Sequence, residues 1–541
     1  MNYRKVRIPM KILFKQWIRV VDKQCLPSVN QPMSSEASRV PVSHRKAVLV
    51  GSIWVFAVAS INRIAALLAL LVLAQLLSPE DYGLANVGIS LGAALIALPP
   101  YAMTDVLLAR PKEFDRNAPA AQLVSAGAGL LLAILITTLG LTAPYWSNRA
   151  GLPLILALVA LRPVFDALMV VPMSKLRVDL RFRRLAAMDG GSNLLLTAVG
   201  VAMAWIGFGA ASLVFPPIAA IGVRSALYWS SFQGQMWALP SKNEVLSILR
   251  RFLAAALGQY LGNVLMMAEG LVLSAMATTA GQGYFALAYQ LASQANAVVI
   301  GQLGAVIQPV LSKLNGEPER QFEAYLRSLR TMALIAIPIF VVQATLAAPV
   351  MRLAFATKWG FAIAPLAVLS FAQIGAFTAI PSMALLKAQG RFRVLLLWQG
   401  SQLVISLVAF VIAGKWTKTS AAEFAQHFGY PVNEDSSAAV AISLASLAIW
   451  TIVAPFGLII CSGLHRNRIT RTLLCLGVPL ACSTPVAILL AKFALLMESA
   501  QSLSGLLILG CILGAGVLGI ALGSLGSLLC FTLSNKLLKL Q

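Results

Sequence analysis

The sequence predicts an all-α polytopic membrane protein, and three observations predict it. Charged residues are 11% of the 541 and hydrophobic ones 59%, with a mean hydropathy of +0.82, whereas soluble domains run at about 25% charged. Stretches such as "LVSAGAGLLLAILITTLGLTA" (123–143) are long enough, as helices, to cross a hydrocarbon core about 30 Å thick. Basic residues gather in alternate connections between such stretches, the pattern that fixes topology in a membrane. A soluble multidomain protein, which length alone would allow, is excluded.

Taken in order, the chain opens with a basic cytoplasmic segment, residues 1–46, that holds ten Lys or Arg and lacks the apolar core of a signal peptide. Within it "VRIPMKILFKQWIRVVDK" (6–23) has the composition of a basic helix lying on an anionic membrane surface. An alternative is a start at Met33, which leaves a short polar tail. Fourteen spans then follow, at approximately 47–76, 84–108, 119–142, 152–172, 186–206, 210–230, 251–277, 284–311, 329–351, 361–386, 394–413, 438–462, 473–494 and 505–530. The first is long enough to tilt. They group into a six-helix lobe (47–230), a cytoplasmic linker (231–250), a second six-helix lobe (251–463) and two added helices with a short tail (464–541).

Charge supports this order. With a cytoplasmic N-terminus, 33 of the 42 Lys and Arg fall in the cytoplasmic set of connections, six in the outer set and three (Arg63, Arg162, Arg224) within spans. The outer six are Arg149, Arg352, Lys358, Lys415, Lys418 and Lys492. The net charge of +23 is therefore read as topology and not as a nucleic-acid footprint.

The two lobes read as parallel repeats. Arg181-Phe182-Arg183-x-Leu185 returns as Arg391-Phe392-Arg393-x-Leu395, each after a span containing proline (Pro172, Pro381). Val106-Leu107 precedes Asp115-Arg116 as Val310-Leu311 precedes Glu319-Arg320, and Tyr82-Gly83-Leu84-Ala85 echoes Tyr284-Phe285-Ala286-Leu287. Parallel repeats are related by an axis along the membrane normal, with substrate sites where the halves meet.

Ionisable groups inside spans are costly unless paired or hydrated, so each is a candidate site residue. In the first lobe these are Arg63 beside Asn62, Arg162, Asp166, Asp189 and Arg224. Arg162 and Asp166 are four apart, so one helix face brings them together either as a self-neutralising pair or as part of a cavity. Arg63 has no local acid and suits a hydrated cavity that receives an anion, since guanidinium binds phosphate oxygens in pairs and keeps its charge. In the second lobe Glu269 follows Gln259 and Asn263 at helical spacing, and the next span carries Tyr289, Gln290, Gln294 and Gln302. Amides both donate and accept, so Asn263, Gln290 and Gln294 suit a hydroxyl-rich ligand, or serve only to bond helices together. Asp166, Asp189 and Glu269 are the candidates for coupling to H+ or Na+.

No catalytic, metal or cofactor site is predicted. There is no Walker A sequence, His44, His427 and His465 are scattered, and the six cysteines include no CxxC pair. The longest outer connection, 414–437, is short for a membrane glycosyltransferase.

Several stretches resemble the polysaccharide-transport branch of the multidrug/oligosaccharidyl-lipid/polysaccharide exporter superfamily. "LAQLLSPEDYGLANVGI" (73–89) is similar to its outer turn after the first span, and "VVPMSKLRVDLRFRRLA" (170–186) to its signature between spans four and five. "GQGYFALAYQLA" (281–292), "PVLSKLNGEPERQFEAYLRSLR" (309–330) and "LLKAQGRFRVLLLWQ" (385–399) resemble its eighth span, the following loop and the connection after its tenth. Two positions depart from the branch pattern: Glu269 stands for an aspartate in the seventh span, and Val106-Leu107-Leu108 for a Gly-Leu-Gly near the end of the second. The resemblance implies a two-lobed bundle in a bacterial inner membrane, both termini cytoplasmic. It implies alternating-access flipping of polyprenyl-diphosphate-linked oligosaccharides for exopolysaccharide, O-antigen or capsule synthesis. Expected partners are that lipid-linked substrate, membrane lipids and a polysaccharide polymerase or chain-length regulator. The alternatives are a drug or peptidoglycan-lipid exporter of the same fold or, from another class, a membrane polymerase or ligase.

Overall fold

The computed structural model describes residues 58, 61–96, 100–108, 113–179, 181–232, 240–296, 307, 310–312, 314, 316–355, 357–416, 418–463, 465–499 and 505–537. The surface helix expected over 6–23, the start at Met33, Gln302 and the side chain of Gln259 lie outside them. Among the described residues all regular structure is helical. The first lobe comprises α1 (Ile61–Leu76), α2 (Pro79–Ile96), α3 (Pro100–Leu108), α4 (Phe114–Trp146), α5 (Leu152–Val178), α6 (Phe182–Ile206) and α7 (Ala211–Ser230). The second comprises α8 (Lys242–Met276), α9 (Thr279–Ala295), α10 (Pro318–Thr345), α11 (Ala347–Ala354), α12 (Ile363–Ala376), α13 (Ala379–Ala388), α14 (Phe392–Trp416), α15 (Lys418–His427) and α16 (Glu434–Ser462). The added pair is α17 (Arg466–Ser499) and α18 (Gly505–Leu537).

Ten stretches among the described residues are long and apolar enough to span a membrane. The expected spans at 47–76, 84–108, 251–277 and 284–311 fall outside those ten, and each includes undescribed residues or side chains. The multi-pass membrane reading holds: on α4, Leu130, Leu131, Ile134 and Leu135 are exposed while Leu132 and Ile136 are buried, as a helix with one face in lipid requires. The five described cysteines are free.

Boundaries differ from the expected ones for physical reasons. Half of the expected linker is helix, because Ser241 caps α8: its Oγ accepts the Glu244 N–H at 3.3 Å and its own N–H donates to Glu244 Oε2 at 3.0 Å. Those bonds, with the Arg116 guanidinium at 3.1 Å, hold the Glu244 carboxyl below the usual range. The expected span 361–386 breaks between α12 and α13, where Gly375 lets α16 approach so closely that a Cβ would sit 2.6 Å from the Trp450 carbonyl oxygen. The connection over 414–437, read as a loop, contains α15.

The motif shared by 181–185 and 391–395 builds one turn twice. The Arg181 N–H donates to the Leu176 carbonyl at 2.9 Å, and the Arg391 N–H to the Leu386 carbonyl at 2.9 Å. These are the long bonds of a Schellman-type helix end, and in both places the next helix starts at the phenylalanine.

The lobes meet where α2 crosses α9. Ser78 starts α2, its Oγ accepting the Asp81 N–H at 3.1 Å, and Thr278 starts α9, accepting the Gly281 N–H at 3.1 Å. Their first turns touch backbone to backbone. A Cβ on Gly83 would lie 1.7 Å from the Thr279 oxygen, and one on Gly283 would lie 1.8 Å from the Pro79 oxygen. This reciprocal contact relates Gly83 to Gly283, a register two residues away from the tyrosine echo read in the sequence. We call this end of the bundle the seam end. The opposite, basic end carries Lys175, Arg177, Arg181 and Arg391. There Lys175 ties α5 to α4 through Asp115 at 3.2 Å and the Phe114 ring. The pair α17–α18 packs beside α10, with Arg471 gripping Glu323 at 2.6 and 3.0 Å and Arg468 bonded to Glu319.

Candidate functional site

In the first lobe, three helices bring the predicted charges into two groups. On α5, Arg162 Nε lies 3.4 Å from Asp166 Oδ2, with the Asp166 side chain 6% exposed and that of Arg162 43% exposed. The four-residue spacing thus forms a pair. Across α6 and α7, Arg224 Nη1 lies 3.6 Å from Asp189 Oδ1, and Arg224 Nε also donates to the Ala220 carbonyl at 3.3 Å. The Tyr228 hydroxyl donates to the same Asp189 oxygen.

On α1, Asn62 donates to the Val58 carbonyl at 2.9 Å and packs against Gly190, next to Asp189; a Cβ on that glycine would lie 3.2 Å from Asn62 Nδ2. Its Oδ1 is buried without a partner. Arg63, the next residue, makes no ion pair or side-chain hydrogen bond among the described residues.

In the second lobe Glu269 sits on α8 against α16, where the Ser446 hydroxyl donates to Oε1 at 2.7 Å. Its Oε2 is buried without a partner. One residue on, Gly270 faces the first lobe: a Cβ there would lie 2.6 Å from Ser90 Oγ. The predicted amides of this lobe differ in burial. Asn263 and Gln290 are exposed, while Gln294 is half-buried with Oε1 unpartnered.

Other groups were not singled out from the sequence. Asn296 Nδ2 donates to Gln373 Oε1 at 2.7 Å, and Gln343 Nε2 to the Leu291 carbonyl at 2.8 Å. Tyr228 and Ser446 complete the two acidic positions, yet a tyrosine or serine in an apolar helix carries no sequence signal of that role. A cavity of about 470 Å3 lined by Glu319, His465, Asn467, Arg468 and Arg471 lies at the basic end between α10 and α17, apart from the predicted residues.

At the seam end, charged side chains of each lobe bond the helix ends of the other. Arg149, between α4 and α5, donates from Nη1 to the Ser274 carbonyl and from Nη2 to the Ala277 carbonyl, both at 2.8 Å. Lys358, between α11 and α12, donates to the Gln75 and Leu77 carbonyls at 2.7 and 2.8 Å. Beside it the fully buried Trp359 indole N–H donates to the Ala74 carbonyl at 2.6 Å, and its ring meets Tyr82 and Tyr284 edge-on at 5.1 and 6.2 Å.

Comparison with known proteins adds the family context. The sequence model of a family described as "Polysaccharide biosynthesis protein" matches residues 72–364. The succinoglycan biosynthesis transport protein ExoT of Rhizobium meliloti (strain 1021) is 25% identical over 338 residues, 60% of this chain and 66% of that protein, just under two thirds of its length. Among solved structures, a lipid II flippase MurJ in an inward closed conformation superposes with a TM-score of 0.63 at 14% identity, over 88% of this chain and 98% of that one. An inward-facing multidrug resistance MATE family transporter of the MOP superfamily gives 0.54 at 15% identity, over 74% and 95%. These two establish the fold.

Proposed function

Because the chain belongs to the polysaccharide biosynthesis protein family, we propose that it flips polyprenyl-diphosphate-linked oligosaccharides across the bacterial inner membrane. The seam end faces outward and the basic end faces the cytoplasm. The observation that carries this reading is the cationic group inside the first lobe. Arg162 and Arg224 are held by Asp166 and Asp189, whereas Arg63, next to Asn62 on α1, is left without a described partner. A guanidinium not neutralised by protein is the group best fitted to meet a diphosphate, because each phosphate oxygen pair matches its donor fork. The polyprenyl tail stays in lipid while the sugars pass between the lobes.

Glu269 is the coupling residue in this reading. A buried carboxylate with one oxygen bonded by Ser446 and the other without a donor takes up a proton or a small cation, which supplies the missing partner. The protein performs no glycan transfer, and a polymerase or chain-length regulator takes the flipped unit.

The test is deletion of the chain in its native host, with surface polysaccharide and lipid-linked repeat units measured together. Loss of polymer with complete units held in the cytoplasmic leaflet is expected. Loss of polymer with single units in the outer leaflet would make the protein a polymerase. Unchanged glycan would overturn the reading in favour of export of another amphiphile.

A further inference from the structure

We infer that Arg149 and Lys358 are a matched pair of latches that hold the seam end shut, each a positioning residue for access to the central site. The inference rests on the transport reading above and adds to it the device that keeps one face closed.

The geometry is reciprocal. Arg149 stands in the connection between the third and fourth expected spans of the first lobe and bonds the last turn of α8, the first helix of the second lobe. Lys358 stands in the corresponding connection of the second lobe and bonds the last turn of α1 in the first. Both place a cation on carbonyls that have no partner inside their own helix, at the negative end of the helix dipole. Gln75 reinforces the second latch by donating to the Ala354 carbonyl at 3.2 Å. Lys418 does not take part, because the Met276 carbonyl it bonds at 3.2 Å belongs to its own lobe.

The strength of these contacts suits a gate. Arg149 and Lys358 are half-buried, so water replaces the bonds when the lobes part, and a hydrogen bond exchanged for water is modest in net strength. Two such latches bias the seam toward closure without welding it. The Gly83–Gly283 contact is different in kind: it permits close approach but supplies no charge complementarity.

Ser90 reports the state of the seam, since it is 3% exposed and packed against Gly270 of the other lobe. The experiment uses the full chain with Ser90→Cys and its six native cysteines replaced by serine, reacted with a membrane-impermeant maleimide added to spheroplasts or to inside-out vesicles. Arg149→Ala with Lys358→Ala is expected to speed labelling from the spheroplast side about tenfold, the scale set by two charged contacts of this class. Arg149→Lys and Lys358→Arg, which keep a donor on the same carbonyls, are expected to stay near the parent rate. Equal abundance and a single gel-filtration peak in detergent confirm folding for every variant.

An unchanged rate in the folded double-alanine protein would overturn the latch. So would faster labelling from the vesicle side alone, or conservative variants that label as fast as alanine. The labelling needs no substrate. A host whose glycan is unaffected by deletion would therefore sink the flippase reading while leaving the latch result intact.

Discussion

Asp166 and Asp189 meet their arginines differently, and the difference sets what each substitution does. Asp166 is almost fully buried and its ion-pair partner is on its own helix. Arg162→Ala strands that carboxylate and is expected to cost about 3 kcal/mol, seen as a lower thermal midpoint in detergent, because removing one member of a buried pair leaves an uncompensated charge. Adding Asp166→Asn should recover most of it. Arg63→Ala, by contrast, removes a side chain without a described partner, so stability should move by less than about 0.5 kcal/mol while complementation of a deletion strain is lost. Normal complementation by Arg63→Ala would end the role proposed for that residue. The sequence already set these two arginines apart, since Arg162 has an acid four residues on and Arg63 has none nearby. It could not pair Arg224, because Asp189 comes from a neighbouring helix and is bonded as well by Tyr228, whose apolar surroundings gave no warning.

Among elements, the crossing of α2 and α9 is the tightest test of packing. Gly83→Ala or Gly283→Ala places a methyl inside the van der Waals radius of the facing carbonyl, and a helix backbone cannot yield as a side-chain tip does. Each is expected to lower stability by about 1–3 kcal/mol. Gly400→Ala on α14 is the control: nothing lies near its added methyl, and the change should be neutral or stabilising by about 0.5–1 kcal/mol. Thermal melts of the three in one detergent decide the matter. Helices were legible wherever twenty apolar residues ran without interruption. Their ends were not, since the first turns of α8 are polar and depend on the Ser241 cap, while the α12–α13 break depends on how closely α16 approaches. The added helix α15 was missed because ten mostly polar residues carry no span signal.

For the whole molecule, alternating access requires the lobes to separate at the seam. The ideal Cβ position on Gly270 lies 3.5 Å from Ser90 Cβ, within the range that a disulfide spans. Ser90→Cys with Gly270→Cys should cross-link α2 to α8 on mild oxidation, stop polysaccharide export and regain it on reduction; export that persists in the cross-linked protein would argue against lobe separation at this seam. The two-lobed plan was readable because the RFRxL turn is written twice in the chain. What joins the lobes was not. The few cations of the expected outer connections read as exceptions to a topological rule, yet Arg149, Lys358 and Lys418 are helix-end donors. Their acceptors are backbone carbonyls, which no side-chain pattern announces. Trp359 gives that junction an optical consequence. Its indole is enclosed by two tyrosines and bonded to Ala74 while the lobes touch. Parting them would place the ring in water, so the emission lost in Trp359→Phe should lie to the blue in the resting protein and move to the red during each turnover.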